Sequence, residues 1–159
     1  MLKKLFKKSN GVEIHAPLNG KVVNLKDVPD PVFSQKMMGE GIAIVPSEGK
    51  VFSPVNGEIV TIPESKHAIG LRTKDGTEVL IHIGLETVSL NGKGFTTLVS
   101  VGDQVKVGEQ LLDVDLEYIK ENAADIITPV IITNSNDKQV TVAEETEARA
   151  GETVLLTVK

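Results

Sequence analysis

Short apolar runs separated by turn-forming residues occupy most of the chain from Glu13 onward. The runs are rich in Val, Ile and Leu, while Gly, Asn and Asp mark the breaks between them. β-Branched residues favour strands, and closely spaced turn signals favour antiparallel connections. The pattern predicts an all-β fold, namely an antiparallel β-sandwich or barrel with one or two short helices.

Helix signals are few and fall in two places. Asp115 is a suitable N-cap for a short helix over residues 116–124, which has to end before Pro129. A further helical turn is expected within residues 31–38. Helices are therefore expected to be minor elements of the fold.

A motif of proline, an apolar residue, Asn-Gly and a β-branched run occurs twice, at residues 17–25 and again 37 residues later at 54–62. Asn-Gly readily adopts the positive φ values that tight turns need. A weaker echo relates residues 101–105 to residues 150–154. Because two copies are too few for a solenoid and no linker interrupts the chain, we expect a duplicated motif within one domain, residues 11–159.

Residues 1–10 form a basic segment that differs from the rest of the chain. Apolar and basic residues alternate there at helical spacing: Leu2, Leu5 and Phe6 between Lys3, Lys4, Lys7 and Lys8. This pattern fits a short amphipathic helix lying on anionic lipid, or a frayed and solvated terminus. Both interpretations stay open at this point.

Charge and composition narrow the class of partner. The net charge is −5, and removing the four N-terminal lysines leaves −9 on residues 11–159, which argues against nucleic acid and favours basic protein partners. The chain has no Cys, which excludes disulfide scaffolds and Cys nucleophiles. No apolar run approaches the roughly 18–20 residues that span a bilayer, and the N-terminus lacks the apolar stretch of a secretory signal. We therefore expect a cytoplasmic protein.

Two of the three histidines flank a hairpin signal. If Asp75-Gly76 is a two-residue hairpin loop, His67 faces Gly84 and lies diagonally next to His82 on the same face of the sheet. A three-residue loop would place the two histidines on opposite faces. The predicted proximity of the imidazoles therefore depends on the length of this turn.

A pair of imidazoles suits phosphoryl transfer. One neutral imidazole can attack phosphorus without a separate base, while its neighbour donates a hydrogen bond to phosphate. Ser65, two residues before His67, could orient that neighbour. The alternatives are a chance pair without chemistry, or a zinc site whose third ligand would be Asp or Glu. His15 is treated as incidental.

Residues 76–88 carry a more specific pattern: Gly, two free positions, three aliphatics, His82, an aliphatic, Gly, an aliphatic, a free position, Thr and an aliphatic. This pattern resembles the signature around the phosphorylated histidine of glucose-type enzyme IIA components of the bacterial sugar phosphotransferase system. The resemblance extends through residues 90–95 and 105–108, and upstream to residues 27–33 and 66–68. It covers roughly residues 11–159.

The resemblance implies a duplicated antiparallel β-sandwich and a phosphocarrier function without a cofactor. It implies that His82 accepts the phosphoryl group from the histidine phosphocarrier HPr and passes it to a cysteine on the IIB domain of a sugar permease. It also implies that His67 hydrogen-bonds phosphate without carrying it. Ser65 stands where some relatives have Thr, so the hydroxyl is retained.

The resemblance further implies a docking surface around the histidines. Its members are apolar and acidic residues: Val32, Phe33, Met38, Leu80, Val88, Asp30 and Glu86. The basic segment resembles the tail of some free-standing relatives that touches the membrane. Two alternatives remain beside the carrier function. One is a regulatory binding module on the same scaffold that signals by its phosphorylation state; the other is a zinc-dependent hydrolase. The resemblance implies that no metal is required, although His67 and His82 could share a zinc ion with a partner.

Overall fold

The computed structural model describes residues 11–159, which form fourteen β-strands and two short α-helices. The strands are β1 (Val12–His15), β2 (Gly20–Val23), β3 (Glu40–Pro46), β4 (Lys50–Phe52), β5 (Gly57–Thr61), β6 (Ala68–Arg72), β7 (Glu78–His82), β8 (Phe95–Thr97), β9 (Gln104–Val105), β10 (Gln110–Val114), β11 (Thr128–Ile132), β12 (Val140–Val142), β13 (Glu147–Ala148) and β14 (Val154–Val158). The α-helices are Pro31–Ser34 and Leu116–Asn122. Single 3-10 turns are Leu25–Asp27, Val88–Leu90 and Ser135–Asp137. The basic segment 1–10 and its predicted amphipathic helix lie outside the described residues.

The strands form three antiparallel sheets. One sheet has eight strands in the order β13-β2-β3-β11-β7-β6-β5-β9, and two sheets have three strands, β1-β14-β12 and β4-β10-β8. The predicted all-β architecture is confirmed, and it takes the form of an open sandwich rather than a closed barrel. Within residues 11–159, no helix has the length and apolar character required to cross a membrane.

The sequence duplication appears in the structure as an approximate twofold relation. From one edge of the large sheet the strand order is β13-β2-β3-β11, and from the opposite edge it is β9-β5-β6-β7. The strands at the same place in these two orders are equivalent. The two Asn-Gly motifs are linked by reciprocal hydrogen bonds: His15 N donates to Pro54 O at 2.9 Å, and Phe52 N donates to Pro17 O at 2.8 Å. The duplication therefore built one sandwich from two interlocked halves.

The second, weaker echo joins two tight turns that each enter a strand, β9 and β14, as expected, but these turns are not counterparts in the twofold relation. The Asn19 side chain accepts a hydrogen bond from Ala150 N, and the Asn56 side chain accepts one from Val107 N. Residues 107–109 are therefore the counterpart of residues 150–152. The likeness of 101–105 to 150–154 rests on Gly, an acidic residue and Val at the same spacing, and the sequence does not display the hydrogen-bond partners that identify the counterpart.

Apolar side chains cover both faces of the middle of the large sheet. Along β7, Val79 and Ile81 enter the main core, while Leu80 between them packs on a second cluster, as alternation along a strand requires. This second cluster, called the outer cluster below, has seven buried members: Leu25, Val28, Phe33, Ala43, Leu85, Ile127 and Ile131. The segment from Leu25 to Phe33 thus lies over the outer face of the sheet.

Both predicted helices are present, and the one that follows Asp115 is shorter than expected. The Asp115 side chain caps its helix by accepting a hydrogen bond from Tyr118 N at 3.1 Å, and the helix ends at Asn122 rather than at residue 124. The Asp30 side chain likewise accepts a hydrogen bond from Val32 N at 3.0 Å, and the helical turn that follows it ends at Ser34. Side-chain caps at both N-termini satisfy backbone donors that have no partner within the helix.

Candidate active site

The turn between β6 and β7 has three residues, 74–76, rather than the predicted two. Thr73 N donates to Thr77 O at 2.9 Å, which closes the loop outside these residues. The strands pair so that His82 faces Ala68. The predicted register, with His67 facing Gly84, is therefore wrong by one residue.

Local hydrogen bonds explain the wider loop. The Asp75 carboxylate accepts hydrogen bonds from Thr73 Oγ1 and, at 3.3 Å, from Thr77 N. Gly76 adopts a φ of 90°. A turn followed by a glycine with positive φ is the usual three-residue hairpin connection.

The two imidazoles nevertheless meet. β6 begins only at Ala68, and the chain bends at His67 directly after Lys66, whose φ is +56°. The His67 and His82 rings lie with their centroids 5.0 Å apart, edge to face at 79°. This bend, and not the predicted register, brings His67 to His82.

The His82 ring is held in one tautomer by the loop that follows β7. Its Nδ1 lies 2.8 Å from the carbonyl oxygen of Gly84. A carbonyl oxygen only accepts, so Nδ1 carries the proton, and in the neutral ring the lone pair is on Nε2. The protein thus presents one defined nucleophilic atom.

Gly84 is required at this position. It has a φ of +75°, and a Cβ there would lie 2.7 Å from Thr87 Cγ2 and 2.9 Å from Asp125 O. The buried Thr87 hydroxyl donates to Ile83 O at 2.7 Å and holds the same loop. The sequence analysis did not assign the Gly84 carbonyl or Thr87 to the site, although both are fixed positions of the motif at residues 76–88.

Burial sets the protonation of both histidines. Desolvation lowers the pKa of His82 below 6.5, against the opposing effects of the Gly84 carbonyl and the Asp30 carboxylate. Desolvation, followed by the charge of His82, also lowers the pKa of His67. Both rings are therefore mainly neutral near pH 7.

Ser65 contacts the second histidine. Its Oγ lies 2.6 Å from His67 Nδ1. If the hydroxyl donates to Nδ1, the neutral His67 ring carries its proton on Nε2 and can donate it elsewhere. The structure thus joins Ser65, His67 and His82 in one chain of contacts.

Phe33 lies behind the His82 ring. The two ring centroids are 5.0 Å apart at a 57° tilt, and Phe33 is only 3% exposed. Its helix starts at the Asp30 cap. The Asp30 carboxylate opposes, without cancelling, the lowering of the His82 pKa by burial. Because so little of Phe33 reaches the surface, it offers a partner almost nothing to contact, in contrast to the docking function expected from the sequence.

The other expected docking residues differ in exposure. Val32 and Val88 are exposed, and so is Met37, which lies next to the expected Met38. Met38 and Leu80 are partly buried against the outer cluster. Glu86 is exposed at the end of the loop after β7, with a φ of +57°.

Within residues 11–159, no three side chains of His, Asp or Glu come together in an arrangement that could hold a metal ion. The third zinc ligand that the sequence analysis required is thus not supplied by this part of the chain. The geometry therefore gives no support to a zinc hydrolase.

The comparisons with known proteins all point to one family. The family model described as the phosphoenolpyruvate-dependent sugar phosphotransferase system, EIIA 1, matches residues 12–138. The chain is 54% identical over 149 residues to the PTS system glucose-specific EIIA component of Halalkalibacterium halodurans, covering 92% of this chain and 85% of that protein. It is 50% identical to the component of that name from Staphylococcus epidermidis, covering 99% and 98%. The solved structure of glucose permease IIA from Mycoplasma capricolum has a TM-score of 0.87 and 38% identity, over 92% of this chain and 95% of that one.

The fold and the matched residues define a component of a phosphoryl-transfer system. The chain belongs to the EIIA 1 family of the phosphoenolpyruvate-dependent sugar phosphotransferase system. It is therefore a phosphocarrier, which transfers phosphoryl groups and works with HPr and with the IIB part of a permease.

Proposed function

We propose that His82 is the residue that carries the phosphoryl group, on Nε2. The observation that supports this assignment is the 2.8 Å contact between His82 Nδ1 and Gly84 O. It leaves the lone pair of the neutral ring on Nε2, and burial keeps the ring neutral by lowering its pKa. A neutral imidazole with a fixed tautomer is ready to attack phosphorus without a separate base.

The proposed transfer has two balanced steps. In the first, His82 Nε2 forms a bond to phosphorus while the bond from phosphorus to the histidine of HPr breaks. The proton stays on Nδ1, against the Gly84 carbonyl, so the phosphorylated ring is cationic and is a good leaving group. In the second step a cysteine thiolate of the IIB domain forms the new bond to phosphorus, and neutral His82 is released.

His67 is proposed to stabilise the phosphoryl group rather than to carry it. Its ring centroid lies 5.0 Å from that of His82, which is close enough for a phosphate on one ring to reach the other. The Ser65 hydroxyl, 2.6 Å from Nδ1, favours the tautomer with a proton on Nε2. This Nε2–H donor would stabilise the negative charge on the phosphoryl oxygens in the transition state, and such charge stabilisation is the main source of catalysis in phosphoryl transfer.

We propose that partners dock on the exposed apolar residues Val32, Met37 and Val88. Asp30 and Glu86 would meet basic residues of HPr and IIB, in keeping with the acidic charge of residues 11–159. The relatives are named as glucose-specific, so we propose a glucose permease as the acceptor. We further propose that residues 11–159 act as one IIA domain in the cytoplasm.

The decisive experiment is phosphorylation with phosphoenolpyruvate, enzyme I and HPr, followed by mass spectrometry at mildly alkaline pH, because phosphohistidine is lost in acid. We expect one phosphoryl group on His82, none in His82→Ala, and normal labelling in the control His15→Asn. His67→Ala should still accept the label and should pass it on slowly. Phosphate on another residue in His82→Ala would refute the assignment.

Onward transfer separates a carrier from a purely regulatory module. Phosphorylated protein, freed of HPr, would be mixed with the IIB domain of a glucose permease, and loss of label from His82 would be followed with time. A carrier loses its phosphoryl group to the IIB cysteine. A regulatory module keeps its label under these conditions.

A further inference from the structure

Asn-Gly occurs at three places, residues 19–20, 56–57 and 91–92. This dipeptide can react with itself: the glycine backbone nitrogen attacks the asparagine side-chain carbonyl carbon, ammonia leaves, and a cyclic imide forms. Water then opens the imide to aspartate or isoaspartate, so atoms balance without a further reagent. The reaction requires the asparagine to rotate and the glycine nitrogen to be free, so the local structure decides where it occurs.

At two of the three sites, hydrogen bonds fix the asparagine side chain and the following glycine lies in a strand. Asn19 accepts a hydrogen bond from Ala150 N and donates one to Glu48, and Asn56 accepts one from Val107 N. The glycines that follow them begin β2 and β5. A Cβ on Gly20 or Gly57 would lie 2.1 or 2.5 Å from a backbone carbonyl oxygen of the neighbouring strand, so the chain cannot swing there without breaking the sheet.

At the third site, Asn91-Gly92, no hydrogen bond from the described residues fixes the asparagine side chain. Asn91 is exposed in the turn after Val88–Leu90, at φ 55° and ψ 37°. Among the described residues, neither its side chain nor the Gly92 N–H makes a hydrogen bond. A Cβ on Gly92 would meet nothing closer than 3.6 Å, and its φ is +88°. Rotation about Asn91 therefore leaves every sheet ladder intact and disturbs only hydrogen bonds of the turn, from Asn91 N to Val88 O at 3.4 Å and from Lys93 N to Leu90 O at 3.1 Å.

We propose that Asn91-Gly92 is a site of spontaneous deamidation in the folded protein. The product changes the turn next to Lys66, the residue that precedes His67 in the chain. It adds a negative charge beside Lys66, whose Cδ lies 3.8 Å from the position of a Gly92 Cβ. Isoaspartate also inserts one extra backbone atom directly after the turn that carries the exposed Val88.

The test incubates the folded full chain at warm, mildly alkaline pH and follows each Asn-Gly peptide by mass spectrometry and by methylation with an isoaspartyl methyltransferase. Because Asn19 and Asn56 react only after local opening, we expect Asn91 to convert at least about tenfold faster than either. The same chain in denaturant is the control, and there all three sites should convert at similar rates. The variant Asn91→Gln should remove the fast conversion.

Two outcomes would overturn the proposal. One is conversion of Asn19 or Asn56 in the folded protein as fast as that of Asn91. The other is an unchanged Asn91 after a time in which the denatured chain has converted all three sites. Neither outcome depends on whether His82 is the phosphorylated residue, because the readout is chemical and not a transfer rate.

Discussion

Removing the Phe33 ring tests whether burial of His82 controls its chemistry. Phe33 is 3% exposed, and its ring centroid lies 5.0 Å from that of His82. In Phe33→Ala the short helix and its Asp30 cap can remain, while the wall behind the imidazole is lost. We therefore expect two separate effects, one on stability and one on the pKa of His82.

The stability effect follows from the size of the buried ring. Truncating a buried Phe to Ala typically costs about 3–5 kcal/mol. The lower end applies here, because Phe33 belongs to an outer cluster whose covering helix has only four residues and can relax. A loss of about 3 kcal/mol should lower Tm by about 6–12 °C in a chain of this size.

The effect on the pKa follows from its cause. Desolvation is the largest contribution that lowers the pKa of His82, so water entering the space left by Phe33 should raise that pKa toward 6.5. A larger fraction of the molecules then carries a protonated His82 ring near neutral pH, and Nε2 of a protonated ring has no free lone pair. The rate constant for phosphoryl acceptance should fall, with a smaller change in KM for phospho-HPr.

The assay is an NMR titration of the His82 ring protons, together with thermal unfolding and steady-state transfer from phospho-HPr. Val32→Ala is the matched control on the same helix, because Val32 is 38% exposed; it should raise KM and leave the pKa of His82 in place. Phe33→Leu should restore part of both properties. A lower Tm in Phe33→Ala with an unchanged His82 pKa would refute the reasoning.

Three further predictions concern the same loop and ring. In Gly84→Ala a Cβ would lie 2.7 Å from Thr87 Cγ2, so we expect loss of phosphorylation and a clearly lower Tm. The control is Gly76→Ala, where φ is similarly positive but a Cβ meets open space. This control should lower the free energy of unfolding by only about 1–2 kcal/mol. Equal losses would contradict the steric argument. Thr87→Val leaves the buried Ile83 carbonyl without its 2.7 Å donor and should cost about 1–3 kcal/mol in denaturant unfolding; an unchanged midpoint would count against it. Because the pKa of His82 is lowered, phosphoryl acceptance should stay high at neutral pH and fall only below pH 6.5, and a midpoint above that value would be inconsistent with a buried ring.

The architecture was readable from the sequence because its signals are local. Alternating apolar runs and turn residues predicted the strands, and Asp115 marked a helix start that the structure shows as a side-chain cap. The cap by Asp30 was not predicted. The Asn-Gly repeat exposed the duplication, since each Asn side chain ties its own turn to a distant segment. These features need only a few neighbouring residues to be recognised.

The arrangement of the site was less readable because it depends on non-local contacts. The register of β6 and β7 is set by Thr73 and Asp75 closing a three-residue loop, and the dipeptide Asp-Gly alone favours a shorter one. Phe33 was expected on a docking surface only through the family resemblance; the sheet face that buries it comes from β3, β7 and β11, far along the chain. The proximity of the histidines was expected, but its cause, the bend at His67, was not.

The twofold relation gives a reason why the chemistry proposed for His82 would occur in only one half of the sandwich. Gly57 abuts Arg72 O as Gly20 abuts Val45 O, and carrying this equivalence along the ladders matches the pairing of Ala68 with His82 to that of Gly41 with Ile131. Ile131 is therefore the counterpart of His82, and it is fully buried in the outer cluster. The residue after next differs as well: Gly84 turns at positive φ and offers its carbonyl to the ring, whereas Thr133 continues the ladder by donating its N–H to Glu78 O. An imidazole at position 131 would thus lack both solvent access and the carbonyl that fixes its tautomer, so the reactivity proposed for His82 depends on the loop after β7 rather than on the duplicated strands.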